Sequence, residues 1–362
     1  MALNSVSLRK AQVSLSCHFC NKQGVRWKCE ECDVFLCTSC KGNIHQRLKS
    51  AQDHDVVSIS EICRDKPSRR EVSSLVISSV FKSYITTMPA INSLLCSGND
   101  LIYFIDQNAR LVKGQLQESS IKTLQTLDKK IFDIAVNKEG EILFKEMISN
   151  NAVCSLTHKG KIRTVVDTSP MRPLSLHINK DNELIVGLRE HGPAFPVTEF
   201  SVRQVIIFDS DYERKVLLET DKKGKKLFCY PARITTDSKN VLYVADWMDE
   251  YHGGRIVAVD VNGRLKFTYN GDLYLETFLP HGIAITPSDN IILSDEKSNS
   301  LHILNSRGEL LGLHFIEKEY NIEKPHSLCI DSEGYLLIGR GLIKGSDAKI
   351  YMVKIAEHFM IL

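Results

Sequence analysis

A short unit recurs along most of this chain and constrains its fold more than any other feature. PLSLHINKDNELIVGL begins at Pro173, PARITTDSKNVLYVAD at Pro231, PHGIAITPSDNIILSD at Pro280 and PHSLCIDSEGYLLIGR at Pro325, and IFDIAVNKEGEILFKE at Ile131 fits without the proline. The starts lie 42, 58, 49 and 45 residues apart. Repeats of this length that are rich in short β-branched runs are typical of β-propeller blades.

Each unit contains signals for antiparallel strands. A residue that favours a tight turn stands nine positions after each start, namely Gly140, Asn182, Asn240, Asp289 and Gly334. Some units carry a second hairpin signal that ends in glycine, at Gly160, Gly263 and Gly308. Because such turns join neighbouring strands, each unit is predicted to be a meander of antiparallel strands.

The number of units and the two ends of the repeat region predict a closed ring. A sixth, less regular unit starts at Pro89, and its second hairpin looks shortened. The last unit shows only three strands and ends near Ile355, whereas the run from Leu75 to Ile85 has no partner of its own. Ring closure covers exposed strand edges. We therefore predict an all-β, six-bladed propeller over residues 72–358, in which the early run supplies the outer strand of the last blade.

The N-terminal part carries residue types that bind metal ions. The spacing C-x2-C-x8-C-x2-C-x4-C-x2-C-x4-H-x8-H provides eight candidate ligands, which are Cys17, Cys20, Cys29, Cys32, Cys37, Cys40, His45 and His54. Eight sulfur and nitrogen donors complete two four-ligand shells, the composition of structural zinc sites that leave no position for water. We predict two structural zinc ions in a domain spanning residues 12–60, followed by a basic linker at 61–71.

The spacing leaves the pairing of these ligands open. The two sites could follow one another or be interleaved, Asp53 could replace its neighbour His54, and His18 is a weaker candidate. The other five of the eleven cysteines are scattered singly. An odd count with this clustering argues against a disulfide framework and is typical of a reducing compartment.

The cysteine-rich segment resembles a known zinc finger. The run CHFCNKQGVRWKCEECDVFLCTSCKGNIHQRLKSAQDHDVVSI is similar to the B-box of tripartite-motif proteins, and its Cys/Cys opening resembles the type 1 variant. The resemblance implies interleaved sites, with Cys17, Cys20, Cys37 and Cys40 on one zinc ion and Cys29, Cys32, His45 and His54 on the other. Family members usually carry a RING finger before the B-box and a coiled coil after it. Residues 1–16 and 61–71 show neither pattern, so we expect neither ubiquitin-ligase activity nor coiled-coil dimerisation.

The repeats resemble the NHL family, whose units begin at a proline, turn at Gly or Asn and end an apolar strand on Asp. The similarity is best in the units that begin at Pro231 and Pro280 and looser elsewhere in residues 72–358. Together with the B-box, it points to the B-box/NHL branch of tripartite-motif-like proteins. Since NHL propellers include protein or peptide binders and RNA binders, the resemblance implies a binding role.

The repeat alignment also predicts one binding face. The start of the first strand and the end of the second lie on the same face of a blade. The candidate residues there are Arg189, Trp247, Tyr251, His281, His326 and Arg340. Trp247 could equally pack between blades. His281 and His326 could be metal ligands but are expected to be hydrogen-bonded loop residues, because no repeated carboxylate accompanies them in a ligand pattern, and Arg189 and Arg340 are expected to be solvated charges.

Charge separates the possible partners. Residues 1–70 carry a net charge of +5 and residues 71–362 a net charge of −3. RNA binding needs a positive face for the phosphates, whereas acids interleave the bases on the predicted face. We therefore predict a zinc-binding adaptor or scaffold whose propeller recognises a protein or peptide. The alternatives are an RNA-binding post-transcriptional regulator that uses the same face and an accessory subunit in ubiquitin ligation.

Catalysis is not expected from this sequence. Some six-bladed propellers are enzymes with a metal in the central channel, which needs several inward carboxylates or histidines at one level. Glu146, Asp246 and Asp295 occupy equivalent positions, but Leu188 and Arg340 stand there in other units. We predict no enzyme and no small-molecule substrate. With no long apolar run and no secretory signal in the sequence, we expect a cytoplasmic protein without a membrane partner.

Overall fold

The chain divides into two compact units, of which the larger spans Ser73–His358. The computed structural model describes residues 17–20, 22, 25–29, 32, 34–47, 54, 56–58, 71–98, 100–106, 110–118, 120–146, 151–249, 253–272 and 275–361. Among these residues, no helix is long and apolar enough to cross a membrane.

The smaller unit is built on an antiparallel sheet of three short strands. Trp27–Cys29 lies between Val34–Leu36 and Val56–Ser58. A helix at Thr38–Asn43 and a 3-10 turn at His45–Arg47 complete it. Among the described residues of this unit, Leu36 is the only buried apolar side chain that is not a cysteine. Because so small a core cannot stabilise a fold, the cysteine and histidine side chains must contribute much of the stability.

The larger unit is a propeller of six four-stranded sheets. Blade one contains Ile91–Ser97, Leu101–Asp106, Leu111–Leu116 and Ile121–Leu127. Blade two contains Ile131–Val136, Ile142–Glu146, Ala152–Leu156 and Ile162–Asp167. Blade three contains Arg172–Ile178, Leu184–Arg189, Arg203–Phe208 and Arg214–Leu218.

The remaining blades repeat this order, with a short helix after blade five. Blade four contains Pro231–Thr236, Leu242–Trp247, Gly254–Val259 and Leu265–Tyr269. Blade five contains Pro280–Ile285, Ile291–Asp295, Ser300–Leu304 and Leu310–Phe315, and the helix is Ile316–Tyr320. Blade six contains Pro325–Ile330, Tyr335–Arg340, Lys349–Ile361 and Glu71–Ile85. The all-β, six-bladed prediction is confirmed.

The turn residues found in the repeat have the backbone conformation that a tight hairpin needs. Asn182, Asn240 and Asp289 have φ angles of 64°, 61° and 62°, and Gly140 and Gly334 have φ angles of 74° and 87°. Glycine adopts positive φ without steric cost, and Asn and Asp tolerate it better than other residues. This requirement explains why only these residue types stand at the tenth position of the unit.

The ring closes with a strand from the N-terminal side, as predicted. Glu71–Ile85 forms the outer strand of blade six beside Lys349–Ile361. Ile77 on this strand is 2% exposed and packs into the core between blades five and six, and the Tyr320 hydroxyl donates a hydrogen bond to its carbonyl. The expectation of a shortened second hairpin in blade one is wrong, because Leu111–Leu116 and Ile121–Leu127 pair along their full length.

The apolar core lies between the blades. Six clusters of buried side chains each draw on two neighbouring blades, and one of them joins blade six to blade one. A disulfide bond between Cys96 and Cys329 also joins the innermost strands of these two blades, across 233 residues of sequence. The sequence pattern does not predict this bond, because Cys96 and Cys329 stand singly and far apart along the chain. Residues far apart in sequence become neighbours because the ring brings its first and last blades together.

Candidate metal centres and the propeller face

Four cysteines of the smaller unit form one compact group. The sulfur atoms of Cys17, Cys20, Cys37 and Cys40 lie within 4.8 Å of one another. The Sγ atoms of Cys20 and Cys37 are 3.8 Å apart. Tetrahedral zinc with bonds of about 2.3 Å places two sulfurs about 3.8 Å apart. The observed spacing therefore fits one zinc ion.

A second group combines two cysteines with two histidines. The ligand atoms of Cys29, Cys32, His45 and His54 also lie within 4.8 Å of one another. Cys32 Sγ is 3.6 Å from His45 Nε2, and Cys29 Sγ is 3.5 Å from His54 Nδ1. A tetrahedral zinc ion separates a sulfur from a nitrogen ligand by about 3.6 Å. The donor set and the spacing fit a structural zinc ion.

Short turns hold the thiols of these groups in place. The backbone N–H of Cys40 donates to Cys37 Sγ, and that of Cys32 donates to Cys29 Sγ, each at 3.4 Å. Burial raises the pKa of Cys40 to about 12, and hydrogen bonds with the other thiols add to this shift. Burial also acts to raise the pKa of Cys17, but backbone hydrogen bonds outweigh it and lower the value to about 6. The group therefore holds protons that a bound cation would displace.

The two groups are interleaved along the chain, which is the arrangement that the B-box resemblance implies. The pairing of Trp27–Cys29 with Val34–Leu36 explains this arrangement. Cys29 and Cys32 of the mixed group stand at the turn end of the hairpin, whereas Cys37 of the four-cysteine group follows its open end. His18 belongs to neither group. The alternative ligand Asp53 lies outside the described residues.

On the propeller, the two histidines of the predicted face meet a carboxylate. His281 Nε2 lies 3.7 Å and His326 Nε2 3.9 Å from Glu296 Oε2. The two imidazole rings stack with centroids 4.3 Å apart. Lys324 Nζ lies 3.3 Å from the other oxygen of Glu296. The expectation that these histidines are loop residues is wrong, since both stand on innermost strands, and a single carboxylate, Glu296, lies near both.

Burial determines the charge of this cluster. It lowers the pKa of His281 to about 4, with the nearby cations Arg233 and Lys324 acting in the same direction. Burial likewise lowers the pKa of His326 well below its ordinary value, helped by His281 and Arg233. The pKa of Glu296 is raised by burial and held back by Lys324. Both imidazoles are therefore neutral near pH 7 and can accept a hydrogen bond or ligate a cation.

A row of aromatic rings extends from this cluster. The Trp247 indole meets the His281 ring edge-on, with centroids 5.2 Å apart, and donates a hydrogen bond of 2.8 Å to the carbonyl of Pro280. Tyr230 stacks on Trp247 at 5.7 Å, and Phe195 lies 5.4 Å from Tyr230. We call these rings, from Phe195 to His281, the aromatic ledge. Trp247 is half-buried within it, and Tyr251 lies outside the described residues.

The two arginines predicted to be solvated are buried. Arg189 is 7% and Arg340 6% exposed. Arg189 donates a hydrogen bond to the Gly192 carbonyl at 2.8 Å, and Arg340 donates to the Ser346 hydroxyl at 2.9 Å. That expectation is therefore wrong, because each guanidinium anchors the loop that follows its own strand. Sequence spacing shows that a residue ends a strand, but not which loop folds back over it.

Blade three carries three arginine side chains close together. Arg172, Arg189 and Arg203 stand opposite one another across three adjacent strands, and only Arg203 forms an ion pair, with Glu190 at 3.0 Å, among the contacts of the described residues. Burial, followed by repulsion from Arg172 and Arg189, lowers the pKa of the nearby Lys145 to about 8. Like charges placed opposite one another in a sheet repel each other. An anionic group bound nearby would reduce this repulsion.

The carboxylates expected at a catalytic level have structural roles. Asp246 is fully buried and accepts hydrogen bonds from the backbone N–H groups of Cys229 and Tyr230 at 2.8 and 2.7 Å. Asp295 is also buried and accepts one from the Ser298 hydroxyl at 2.6 Å. Glu146 pairs with Lys129 at 2.5 Å. They do not converge on one metal ion.

The central channel contains an ion pair that the repeat alignment does not predict. Arg233 Nη1 lies 2.9 Å from Asp133 Oδ1, and Ser93 donates to the same carboxylate at 3.2 Å. The inner strands of all six blades line a cavity of about 300 Å³. Asp133 and Arg233 stand at the third position of their units, where Ser, Asp, Arg and Gly interrupt apolar runs, and Ser93 is the third residue of the first strand of blade one. That polar column is the sequence signal that could have identified them.

Comparison with known proteins supports the fold. No protein-family model matches this sequence, and no curated protein matches it. A gluconolactonase of Xanthomonas campestris is similar in structure with a TM-score of 0.57 at 14% identity, covering 78% of this chain and 94% of its own. The PQQ-bound aldose sugar dehydrogenase of Streptomyces coelicolor has a TM-score of 0.56 at 13% identity, covering 80% and 100%. A streptogramin B lyase has a TM-score of 0.50 at 15% identity, covering 78% and 98%. At these identities the likeness extends to the propeller fold alone.

Proposed function

We propose that this protein is a two-module adaptor, with a B-box-like zinc module and an NHL-like propeller that binds a protein or peptide. The observation that carries the proposal is the aromatic ledge. Rows of Trp, Tyr and Phe on one face are enriched at the centres of protein interfaces. The ledge is half-buried, so its rings are already held in place before a partner arrives.

The surroundings of the ledge support a macromolecular partner. Phe200 and Met248 lie in the loops that flank it and are 83% and 47% exposed. Apolar side chains that face water beside fixed aromatic rings are available for contact with a partner. Arg172 and Arg189 of blade three and the neighbouring Lys145 of blade two add positive charge on this side, which favours a partner that presents carboxylates. An acidic peptide or acidic protein segment with an apolar side chain fits both features.

We propose binding rather than catalysis for the propeller. The similar structures include a lactonase and a lyase, but their activities depend on sites that fold similarity alone does not transfer. In this chain Asp246 and Asp295 are used to hold backbone N–H groups, so they do not form a reactive set in the channel. An accessory role in ubiquitin ligation would use the same binding function, with catalysis supplied by another protein.

Peptide selection tests the proposal. The zinc-loaded full chain would be used to select from a displayed random peptide library, and a selected peptide would be titrated against variants. Trp247→Ala should weaken binding by about 2 kcal/mol or more, roughly 30-fold, because it removes a central aromatic anchor. Phe81→Ala is the matched control, since Phe81 is an exposed aromatic on the outer strand of blade six.

Two outcomes would contradict the proposal. One is a Trp247→Ala variant that binds the selected peptide like the wild type while keeping its thermal transition. The other is selective binding of a single-stranded RNA with a steep loss of affinity on raising salt, which would favour the RNA-binding alternative.

A further inference from the structure

We propose that His281, Glu296 and His326 bind a divalent transition-metal ion on the propeller face, separate from the zinc ions of the smaller unit. Their three ligand atoms lie within 4.8 Å of one another. The three side chains come from blades five and six, so the site depends on the folded ring. It does not depend on the proposed partner, and it shares only His281 with the aromatic ledge.

The spacing of the donors is close to that of a bound metal. Zinc bonds of about 2.0–2.1 Å to nitrogen and oxygen place tetrahedral donors about 3.3 Å apart. The imidazole Nε2 atoms of His281 and His326 lie 3.7 and 3.9 Å from Glu296 Oε2. The donors would therefore have to approach by roughly 0.4–0.6 Å when the ion binds.

The fold aims both histidines in the same direction. The strand pairing shifts by one residue between Pro280 and Gly282, and again between Pro325 and Ser327. His281 and His326 are the extra residues of these two bulges. A β-bulge turns a side chain away from the regular alternation of its strand and is common beside functional sites. The same shift occurs in all six blades, but only in blades five and six is the extra residue a histidine, and this places the two imidazoles against each other.

Nearby groups support the ligand carboxylate. Lys324 contacts Glu296 Oε1 at 3.3 Å, which leaves Oε2 directed toward the histidines. Such an outer partner orients a metal ligand. Arg233, the other nearby cation, is paired with Asp133 at 2.9 Å. The positive charge of Lys324 is therefore partly balanced by Glu296, and that of Arg233 by Asp133, before a metal ion binds.

The donor set indicates which metals would bind. Imidazole nitrogen suits zinc, cobalt, nickel and copper, whereas calcium and magnesium prefer oxygen donors alone. Two histidines and one glutamate leave a coordination position open, in contrast to the closed four-ligand groups of the smaller unit. The open position would accept water or an anionic ligand.

A cobalt titration of the full chain, loaded with only the two zinc equivalents that the smaller unit takes, tests the site. Cobalt(II) should bind as a further equivalent and show visible ligand-field absorption without the thiolate charge-transfer band that exchange into a cysteine group would produce. Glu296→Gln and His326→Ala should each weaken this binding by at least about ten-fold. His191→Ala is the matched control, because His191 is an exposed histidine on the same face and belongs to no metal group.

Three results would overturn the proposal. They are the absence of a further cobalt equivalent, a spectrum that shows thiolate ligation only, and equal binding by wild type and Glu296→Gln. The glutamine variant keeps the size of the side chain, and its thermal transition shows whether it is folded. If His326→Ala does not fold, the comparison between Glu296→Gln and His191→Ala still decides the question.

Discussion

The indole of Trp247 meets the imidazole of His281 edge-on and donates its N–H to the carbonyl of Pro280, the residue before that histidine. One side chain of blade four is thus fixed by two neighbouring residues of blade five. Trp247→Phe keeps an aromatic ring but removes the hydrogen bond. We expect the free energy of unfolding to fall by about 1 kcal/mol. Denaturant unfolding measures this, and an unchanged value would show that the bond contributes nothing to stability.

The smaller unit should depend on its metal ions. Cys29→Ser removes a ligand of the mixed group, and because the unit has almost no other buried core it should unfold. The thermal transition of the propeller should stay unchanged. Metal analysis of the wild type, purified without chelator, should give about two zinc ions per chain from this unit, in addition to any ion held by His281, Glu296 and His326.

His18→Ala is the control for that variant, because His18 lies in the same unit but in neither ligand group. It should keep the full zinc content. A wild-type protein without zinc, or a Cys29→Ser variant with unchanged zinc content, would contradict the assignment of these ligands.

The closing strand offers a matched pair of variants. Ile77 is 2% exposed, whereas Ile85 on the same strand is 66% exposed. Ile77→Ala should lower the free energy of unfolding by about 2–5 kcal/mol, because it leaves a cavity between blades five and six. Ile85→Ala should change it by less than about 0.5 kcal/mol. Equal effects in denaturant unfolding would show that the strand does not close the ring.

Stability should depend on pH through His302, which is fully buried and hydrogen-bonded to the Tyr269 hydroxyl at 2.8 Å. Burial lowers its pKa from 6.5 to about 4. Between these values the unfolded chain binds a proton that the folded protein does not. This histidine therefore lowers stability as pH falls from about 6.5 to about 4, by up to about 1.4 kcal/mol per pH unit.

The difference between wild type and His302→Gln isolates this contribution from those of other groups. The variant should lose stability less steeply on acidification across that window. His158→Gln, at an exposed histidine, should follow the wild type. Parallel curves for wild type and His302→Gln would contradict the assignment.

The disulfide between Cys96 and Cys329 should stabilise the closed ring. Denatured, metal-free protein should show two fewer free thiols than its eleven cysteines until it is reduced. Reduction should lower stability by about 2–4 kcal/mol. The stability of the Cys96→Ser variant should not change when reductant is added. Eleven free thiols before reduction would show that the bond does not form in the purified protein.

Features set by local conformation could be predicted from sequence alone. The tenth position of each repeat needs a positive φ angle, so only Gly, Asn or Asp stands there, and the turn identifies the strands on either side. The candidate metal ligands are similarly restricted, since few residue types bind such an ion and a short turn separates Cys17 from Cys20. These constraints act within a few residues, which is why the sequence alone shows them.

Contacts between blades depend on the tertiary structure. Glu296 joins His281 and His326 because blades five and six lie side by side, and Cys96 meets Cys329 because the ring closes. Arg189 and Arg340 are both charged strand ends, yet each is buried by the particular loop that folds over it. Such partners are separated by whole repeats or by loops without a periodic pattern, so their meeting is decided by packing and ring closure rather than by local sequence.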